Sequence, residues 1–231
     1  METKNNFGLT GNQLKLLAVV TMTIDHIGSH LLPQFMILRI IGRLAFPIFA
    51  YMIAEGCTYT KNRKRYLGTM LILSLIFQLV YYFAMNSLYQ CIFVTFSLSI
   101  ANIYAIDKAK SQPKYIPLAA GVLVLTVFLT TFMPRILPGF KIDYRLFGVL
   151  LPVMIYFGRN KWEKLALLTI GLCLLSGTGA SVQWYSLATV PILALYNGKR
   201  GRLNMKNFFY IYYPVHLVVI YLIKFIIEIF F

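Results

Sequence analysis

Long apolar segments recur along this chain from Leu14 to its C-terminal end, and they constrain the fold more than any other feature. The sequence is 59% hydrophobic and 13% charged, whereas a soluble domain carries about 25% charged residues. One soluble core cannot bury so many apolar segments, and a helix needs about 20 apolar residues to cross the hydrocarbon layer. The sequence therefore predicts an all-α, polytopic membrane helical bundle of about nine transmembrane helices, with residues 1–231 as a single domain.

The expected spans are separated by short loops, and many of the 22 basic residues lie in clusters in alternate loops. Such clusters are typical of the cytoplasmic loops of membrane proteins. Their positions predict a cytoplasmic N-terminus, an outer C-terminus and a multi-pass location in the plasma or inner membrane. The spans are residues 14–32, 35–57, 66–86, 88–107, 115–134, 144–158, 165–179, 181–197 and 208–230.

The net charge of +15 is of the size found in nucleic-acid-binding proteins. The basic residues form short clusters between apolar segments rather than a long basic face, so the expected partner is the lipid bilayer and not a nucleic acid. Cys57, Cys91 and Cys173 form no CxxC pair and no disulfide framework. His26 and His30 have the i, i+4 spacing of metal ligands, but no third ligand has a suitable spacing, so no metal is predicted.

Ionisable residues lie inside three of the expected spans: Asp25 and His26 in the first, Arg39 and Arg43 in the second, and His216 in the ninth. Each Arg or Asp at the centre of a span costs about 2.5 to 3.5 kcal/mol to insert. These residues should therefore face the bundle interior, with Asp25 paired to Arg39 or Arg43. One shared polar cluster is the simplest account, although a purely structural ion pair or a satisfied core histidine would explain single members.

Pro47 follows Arg43 by four residues in the second expected span. A proline inside a helix leaves the carbonyl four residues before it without its donor and bends the axis. The second helix is therefore expected to bend at Arg43.

Lys15 and His26 are eleven residues apart in the first expected helix. This spacing places them on one face, about 16 Å apart along the axis. A cation at the cytoplasmic mouth and an imidazole deep inside suit a long ligand with an anionic head and a reactive end, and acetyl-coenzyme A has that shape.

Four sequence blocks resemble the TraX family, whose namesake N-acetylates the pilin of F-type conjugative plasmids. The resemblance covers most of the chain in the same order. The blocks are Leu14–His26, Gly42–Pro47 continuing to Glu55-Gly56, Asp143-Tyr144 followed by Gly148, and Tyr213-Pro-Val-His216-Leu.

The Lys15-x10-His26 spacing is also similar to the Arg/Lys-x10-His motif of the wider transmembrane acyltransferase superfamily. This resemblance implies that acetyl-coenzyme A enters from the cytoplasm as the acyl donor and that His26 stands at the reaction centre. The paired arginines here are Arg39-x3-Arg43, which departs from the Arg-x-x-Arg of the O-antigen acetylases. Neither pattern identifies the acceptor.

The expected activity is an acetyl-coenzyme A-dependent acetyltransferase acting on an amine. His26 would be the general base, and Arg39 or Arg43, paired with Asp25, would stabilise the oxyanion or orient the acceptor. The residues expected to hold the coenzyme phosphates are Lys15, Lys61, Arg63 and Arg65, and those expected to bind the acceptor are Arg39, His216, Asp143 and Tyr144.

Two other functions use the same residues. A secondary transporter would use the intramembrane Asp, Arg and His as a proton or substrate relay, but no inverted repeat is evident. A non-enzymatic structural or partner-binding membrane protein would need the polar residues only for stability.

Overall fold

The computed structural model of the protein describes residues 8–202 and 205–230. Secondary structure in this part of the chain is almost wholly helical, which confirms the all-α fold class. The exceptions are strands β1 (Tyr89–Gln90) and β2 (Lys141–Ile142), which pair in parallel, and an isolated bridge between Leu9 and Tyr196. The α-helices are α1 (Gly11–His30), α2 (Met36–Gly42), α3 (Ala45–Tyr59), α4 (Arg63–Met85), α5 (Ile92–Ser111), α6 (Ile116–Val127), α7 (Met133–Ile136), α8 (Arg145–Tyr156), α9 (Lys161–Gly177), α10 (Thr189–Ala194) and α11 (Lys206–Phe230).

Several helical segments are suited to crossing a bilayer. Within the described residues, five are long and apolar enough to do so, which makes this a multi-pass membrane protein. The remaining spans of the expected nine stay a prediction. The five segments are Met36–Tyr59, Arg63–Phe83, Ile92–Ser111, Pro113–Ile136 and Ile211–Phe230.

The chain divides into two compact units, Met1–Met52 with Ser176–Phe231, and Ile53–Leu175. In the first unit, α1 packs against α2 and α11. Helix α1 begins with a capping box, in which the Thr10 hydroxyl accepts from the Gln13 backbone N–H and the Gln13 side chain accepts from the Thr10 N–H. The expectation of a single domain stays a prediction.

In the second unit, α5 is the central helix and packs against α4, α6 and α8. Small polar side chains of α5 form hydrogen bonds with each of these neighbours, as is usual where apolar attraction between helices is weak in lipid. The bonds join Ser97 to Ser74 of α4, Asn102 to Thr126 of α6, and Ser99 to the Val149 carbonyl of α8.

Pro47 predicts a bend of the second expected span at its arginine, and the helix is interrupted there. Helix α2 ends at Gly42, Arg43 and Leu44 form a turn, and α3 starts at Ala45. The Arg43 Nε donates to the Arg39 carbonyl at 3.2 Å. The break in the helix therefore lies at Arg43 itself.

The expectation of one continuous helix over residues 181–197 is wrong. The chain forms a 3-10 helix over Ser181–Ala188 and only then the short helix α10. Helix propensity is low here, because Val182, Thr189 and Val190 are β-branched and Pro191 lies within α10. The hydrophobicity of this segment predicts a helix but does not indicate where its helical geometry changes.

Candidate active site

Helices α1 and α11 run parallel and meet along one face of each. Contacts between the two helices advance in the same direction along both sequences, so one face of α1 follows α11 from Lys15 to His30. Lys15 and His26 therefore share a face, as their spacing predicts. The contacting pairs are Lys15 with Phe209, Thr23 with Tyr212, His26 with His216, and His30 with Tyr221.

His26 and His216 form a direct hydrogen bond, with His26 Nδ1 and His216 Nε2 at 2.7 Å. The other ring nitrogen of His216, Nδ1, lies 3.0 Å from the Tyr212 carbonyl oxygen, which can only accept. His216 Nδ1 therefore carries the proton, and the Nε2 of a neutral His216 accepts from His26 Nδ1–H. This tautomer leaves the lone pair of His26 on Nε2.

Aromatic rings surround the histidine pair. Tyr212 stacks on His216 with ring centroids 5.3 Å apart, and Tyr213 presents its edge to both histidines. His216 is buried at 6% exposure. The rings hold both imidazoles in fixed orientations, which is the condition for a directed proton transfer.

Asp25 pairs with both arginines, one on each carboxylate oxygen. Arg39 donates to Oδ2 at 2.7 Å and Arg43 to Oδ1 at 2.6 Å. The side chains of Asp25 and Arg43 are 14% and 11% exposed. The expected pairing is confirmed, and one carboxylate between two guanidinium groups leaves the cluster with a net positive charge. Both arginines act electrostatically on His26.

Two glycines allow α1 and α2 to approach closely at this cluster. A Cβ on Gly42 would overlap the Asp25 side chain, and a Cβ on Gly28 would press on Leu38. Small residues at helix crossings permit such contact in membranes. Gly42 therefore gives Asp25 the room that it needs between the two arginines.

Gln183, in the 3-10 helix, joins the cluster and was not predicted. Arg43 donates to its Oε1 at 3.3 Å, so the amide nitrogen points the other way. Within residues 8–202 and 205–230, this buried nitrogen has no acceptor, and neither the Ser186 nor the Thr189 hydroxyl has a partner. Polar residues at every third position of an apolar segment share a face of a 3-10 helix, and this spacing could have signalled the site. Buried polar atoms of this kind need water or a polar ligand.

The sequence resembles known proteins over most of its length. The sequence signature of the TraX protein family matches residues 10–224. The chain belongs to the TraX family. The match includes every residue of the cluster just described.

Two relatives of this TraX-family protein are informative. The "Probable fimbrial assembly protein FimC, serogroup H1" of Dichelobacter nodosus is 23% identical, over 93% of this chain and 96% of the relative. An uncharacterised protein of Rickettsia prowazekii (strain Madrid E) is 50% identical over 52 residues, which are 22% of this chain and 21% of the relative. No solved structure matches.

In this TraX-family chain, Lys15 lies beside a basic loop of the same unit. The N–H groups of Gly11 and Asn12 donate to the carbonyls of Lys199 and Arg200 at 2.8 and 3.0 Å, which fixes that loop on the start of α1. Arg200 acts electrostatically on Lys15, and no described carboxylate forms an ion pair with Lys15. Such an arrangement attracts an anion.

The other cations expected at the coenzyme phosphates lie in the second unit. Arg63 donates to the Asp107 carboxylate at 2.7 Å, and its guanidinium lies over the Tyr104 ring. Lys61 and Arg65 are exposed. Arg63 thus already has an acidic partner, and the phosphate-binding role of all three stays a prediction.

Asp143 and Tyr144 also belong to the second unit, and the hydrogen bonds of Asp143 link the strands to α5. The Tyr89 hydroxyl donates to Asp143 Oδ1 at 2.6 Å, and the Thr95 hydroxyl donates to the Asp143 carbonyl at 2.7 Å. Tyr144 has a left-handed backbone at φ 57° and folds back against Gly148, where a Cβ would overlap it. These contacts explain the two residues structurally, and their acceptor-binding role stays a prediction.

Proposed function

We propose that this TraX-family protein is a membrane-bound acetyltransferase that moves the acetyl group of acetyl-coenzyme A to an amine. The observation that carries the proposal is the His26–His216 hydrogen bond, which leaves His26 Nε2 able to accept a proton. A buried ionisable cluster within a membrane protein is a functional site by default. The positive charge of the neighbouring arginines suits a reaction in which negative charge develops on oxygen.

In this mechanism, His26 is the general base. Its Nε2 takes a proton from the amine as the amine nitrogen bonds to the thioester carbonyl carbon. The carbon–sulfur bond then breaks, and the same proton passes from His26 to the departing sulfur. His216 accepts from His26 Nδ1–H throughout and stabilises the transient imidazolium, so it acts as a positioning residue rather than as an acceptor-binding one.

Gln183 and Arg43 are the donors proposed for the developing oxyanion. The amide nitrogen of Gln183 is buried, has no acceptor in the described part of the chain, and is fixed in direction by the Arg43 bond to Oε1. Fixed donors in a site without bulk water stabilise charge with little reorganisation. Asp25 holds Arg39 and Arg43 in place.

Lys15 and the loop that carries Arg200 would hold the phosphates of the donor. Lys15 lies about 16 Å from His26 along one helix face, a length that suits an extended thioester. This arrangement requires a cytoplasmic N-terminus, and with it we propose the expected nine spans and a location in the plasma or inner membrane. The relative named for fimbrial assembly and the pilin-acetylating namesake of the family make a pilus-subunit amine the first acceptor to test.

The test is acetyl transfer by the purified protein in lipid nanodiscs, with labelled acetyl-coenzyme A and a panel of pilin peptides and simple amines. We expect His26→Ala to lower the transfer rate by about 100-fold or more. His30→Ala is the matched control, because His30 lies one turn further along α1 and its ring is closer to Tyr221, at 4.9 Å between centroids, than to His26, at 6.1 Å. Transfer at the unaltered rate in His26→Ala would exclude this mechanism.

A second candidate is a secondary transporter. The broken helix at Arg43 and Leu44 favours it, because interrupted helices form the binding sites of many transporters. Uptake of an amine into proteoliposomes without release of coenzyme A would support transport, and coenzyme release coupled to acetylation would support the enzyme.

A further inference from the structure

An open cavity of about 510 Å³ lies in the second unit, beside the first turn of α4 and the last turns of α5. Its lining includes Arg63, Lys64, Leu67, Asp107 and Lys108. Both helices belong to segments that can cross the bilayer, so their ends lie at the level of the lipid headgroups. The cavity therefore opens where a lipid phosphate would be found.

The charge of this headgroup cavity is positive. Asp107 Oδ2 accepts from Arg63 at 2.7 Å and from the Tyr156 hydroxyl at 2.6 Å, so the one acidic residue of the lining is paired with Arg63. Lys64 and Lys108 are both exposed, and Lys108 Nζ lies 3.9 Å from the Tyr115 ring centroid. Two lysines thus remain to attract an anion, and the ring contact limits where the Lys108 ammonium can lie.

An apolar strip continues from the cavity along α4. Leu67, Leu71 and Leu75 follow Lys64 at helical spacing, so all four lie near one face. Leu71 is 51% exposed and Leu75 is 62% exposed. A cation at the end of an exposed leucine strip matches a molecule with an anionic head and a hydrocarbon chain.

We propose that the headgroup cavity binds the phosphate of an anionic phospholipid, with an acyl chain along Leu67, Leu71 and Leu75. Basic pockets between membrane helices are suited to such headgroups. A free nucleotide phosphate shares the headgroup chemistry but has no hydrocarbon chain to pack along the leucine strip. The acyl chain therefore distinguishes the two sources.

The test measures lipid binding to the full-length detergent-purified protein by native mass spectrometry. The ligands are phosphatidylglycerol, phosphatidylcholine, glycerol phosphate and coenzyme A. The test variant is Lys64→Gln/Lys108→Gln. The matched control is Lys110→Gln/Lys114→Gln, which removes the same charge from neighbouring exposed lysines outside the described cavity lining.

We expect the unaltered protein to bind phosphatidylglycerol more tightly than the other three ligands. In Lys64→Gln/Lys108→Gln the Kd for phosphatidylglycerol should rise about tenfold to thirtyfold, and in the control it should change less than about threefold. Equal binding of phosphatidylcholine, or equal losses in both variants, would overturn the proposal. Glycerol phosphate or coenzyme A bound as tightly as the lipid, and lost in the same variant, would assign the cavity to a soluble phosphate and reject the lipid.

Discussion

His216 holds His26 in one tautomer, because its own Nδ1–H is committed to the Tyr212 carbonyl and only its Nε2 can meet His26 Nδ1. The proposed base is therefore oriented by a second histidine from a helix that lies 190 residues later in the sequence. In soluble enzymes a carboxylate often fills this place. Here Asp25 is occupied by two arginines, so an imidazole takes the role.

Replacing His216 tests this orienting role. We expect His216→Leu to lower the acetyl-transfer rate by about tenfold to a hundredfold, because outer hydrogen-bond partners typically contribute that much. His216→Gln should recover part of the rate, since its amide oxygen can accept from His26 Nδ1–H. The measurements are kcat and KM for both substrates. A role confined to packing predicts no difference in kcat between the two variants at equal folded yield.

Removing Asp25 tests the ion-pair cluster. Asp25→Leu leaves two guanidinium groups without their carboxylate, and we expect a loss of about 3 to 5 kcal/mol in the free energy of unfolding. Thermal unfolding in detergent measures the change. Glu228→Gln removes the exposed partner of Lys224 and should shift stability by less than about 1 kcal/mol. Similar effects in the two variants would contradict a buried cluster.

Gly42 tests the close approach of α1 and α2. Because a methyl group there would overlap Asp25, Gly42→Ala should cost about 1 to 3 kcal/mol and lower activity together with stability. The control is Gly121→Ala, which meets open space within α6 and should be neutral or slightly stabilising. A stable and fully active Gly42→Ala protein would show that the helices tolerate a wider separation.

Tyr89 provides a test that depends on pH. Burial raises the pKa of Tyr89 well above its ordinary value, and the Asp143 carboxylate raises it further. The folded state therefore favours the protonated hydroxyl, and this contribution to stability is complete below about pH 10 and declines above it. Tyr89→Phe should cost about 1.5 to 3 kcal/mol at pH 8, because the hydrogen bond to a charged group is lost.

The measurement is the stability difference between the unaltered protein and Tyr89→Phe, taken from pH 8 upward. This difference should shrink as the pH rises above about 10. A constant difference across that range would mean that the Tyr89 hydroxyl titrates equally in the folded and unfolded states.

Much of the candidate site follows from local sequence rules. The insertion cost of charge predicts that Asp25 pairs with an arginine, and the helical repeat predicts that Lys15 and His26 share a face. Pro47 predicts a bend at Arg43, where the helix is in fact interrupted. Each of these predictions depends on residues close together in the chain or on the regular repeat of the helix.

Other features depended on contacts that no local pattern encodes. Gln183 lies 140 residues from Arg43, and the 3-10 helix that carries it falls where the apolar composition predicts an ordinary helix. Arg63 has a basic cluster around it in the sequence, yet Asp107 of α5 is its partner. A sequence pattern predicts whether a charged residue lies in a loop or in a span, but not which residue it pairs with.

The sequence alone determined that this chain is a multi-pass helical membrane protein with ionisable residues that must meet inside it, because lipid offers no water to stray polar groups. The tertiary structure alone decided which groups meet. It placed His216 against His26, gave both arginines to one carboxylate and, among the described residues, left the Gln183 amide nitrogen without an acceptor. Which groups meet depends on how helices distant in sequence pack side by side. Each contact contributes free energy only once those helices have packed.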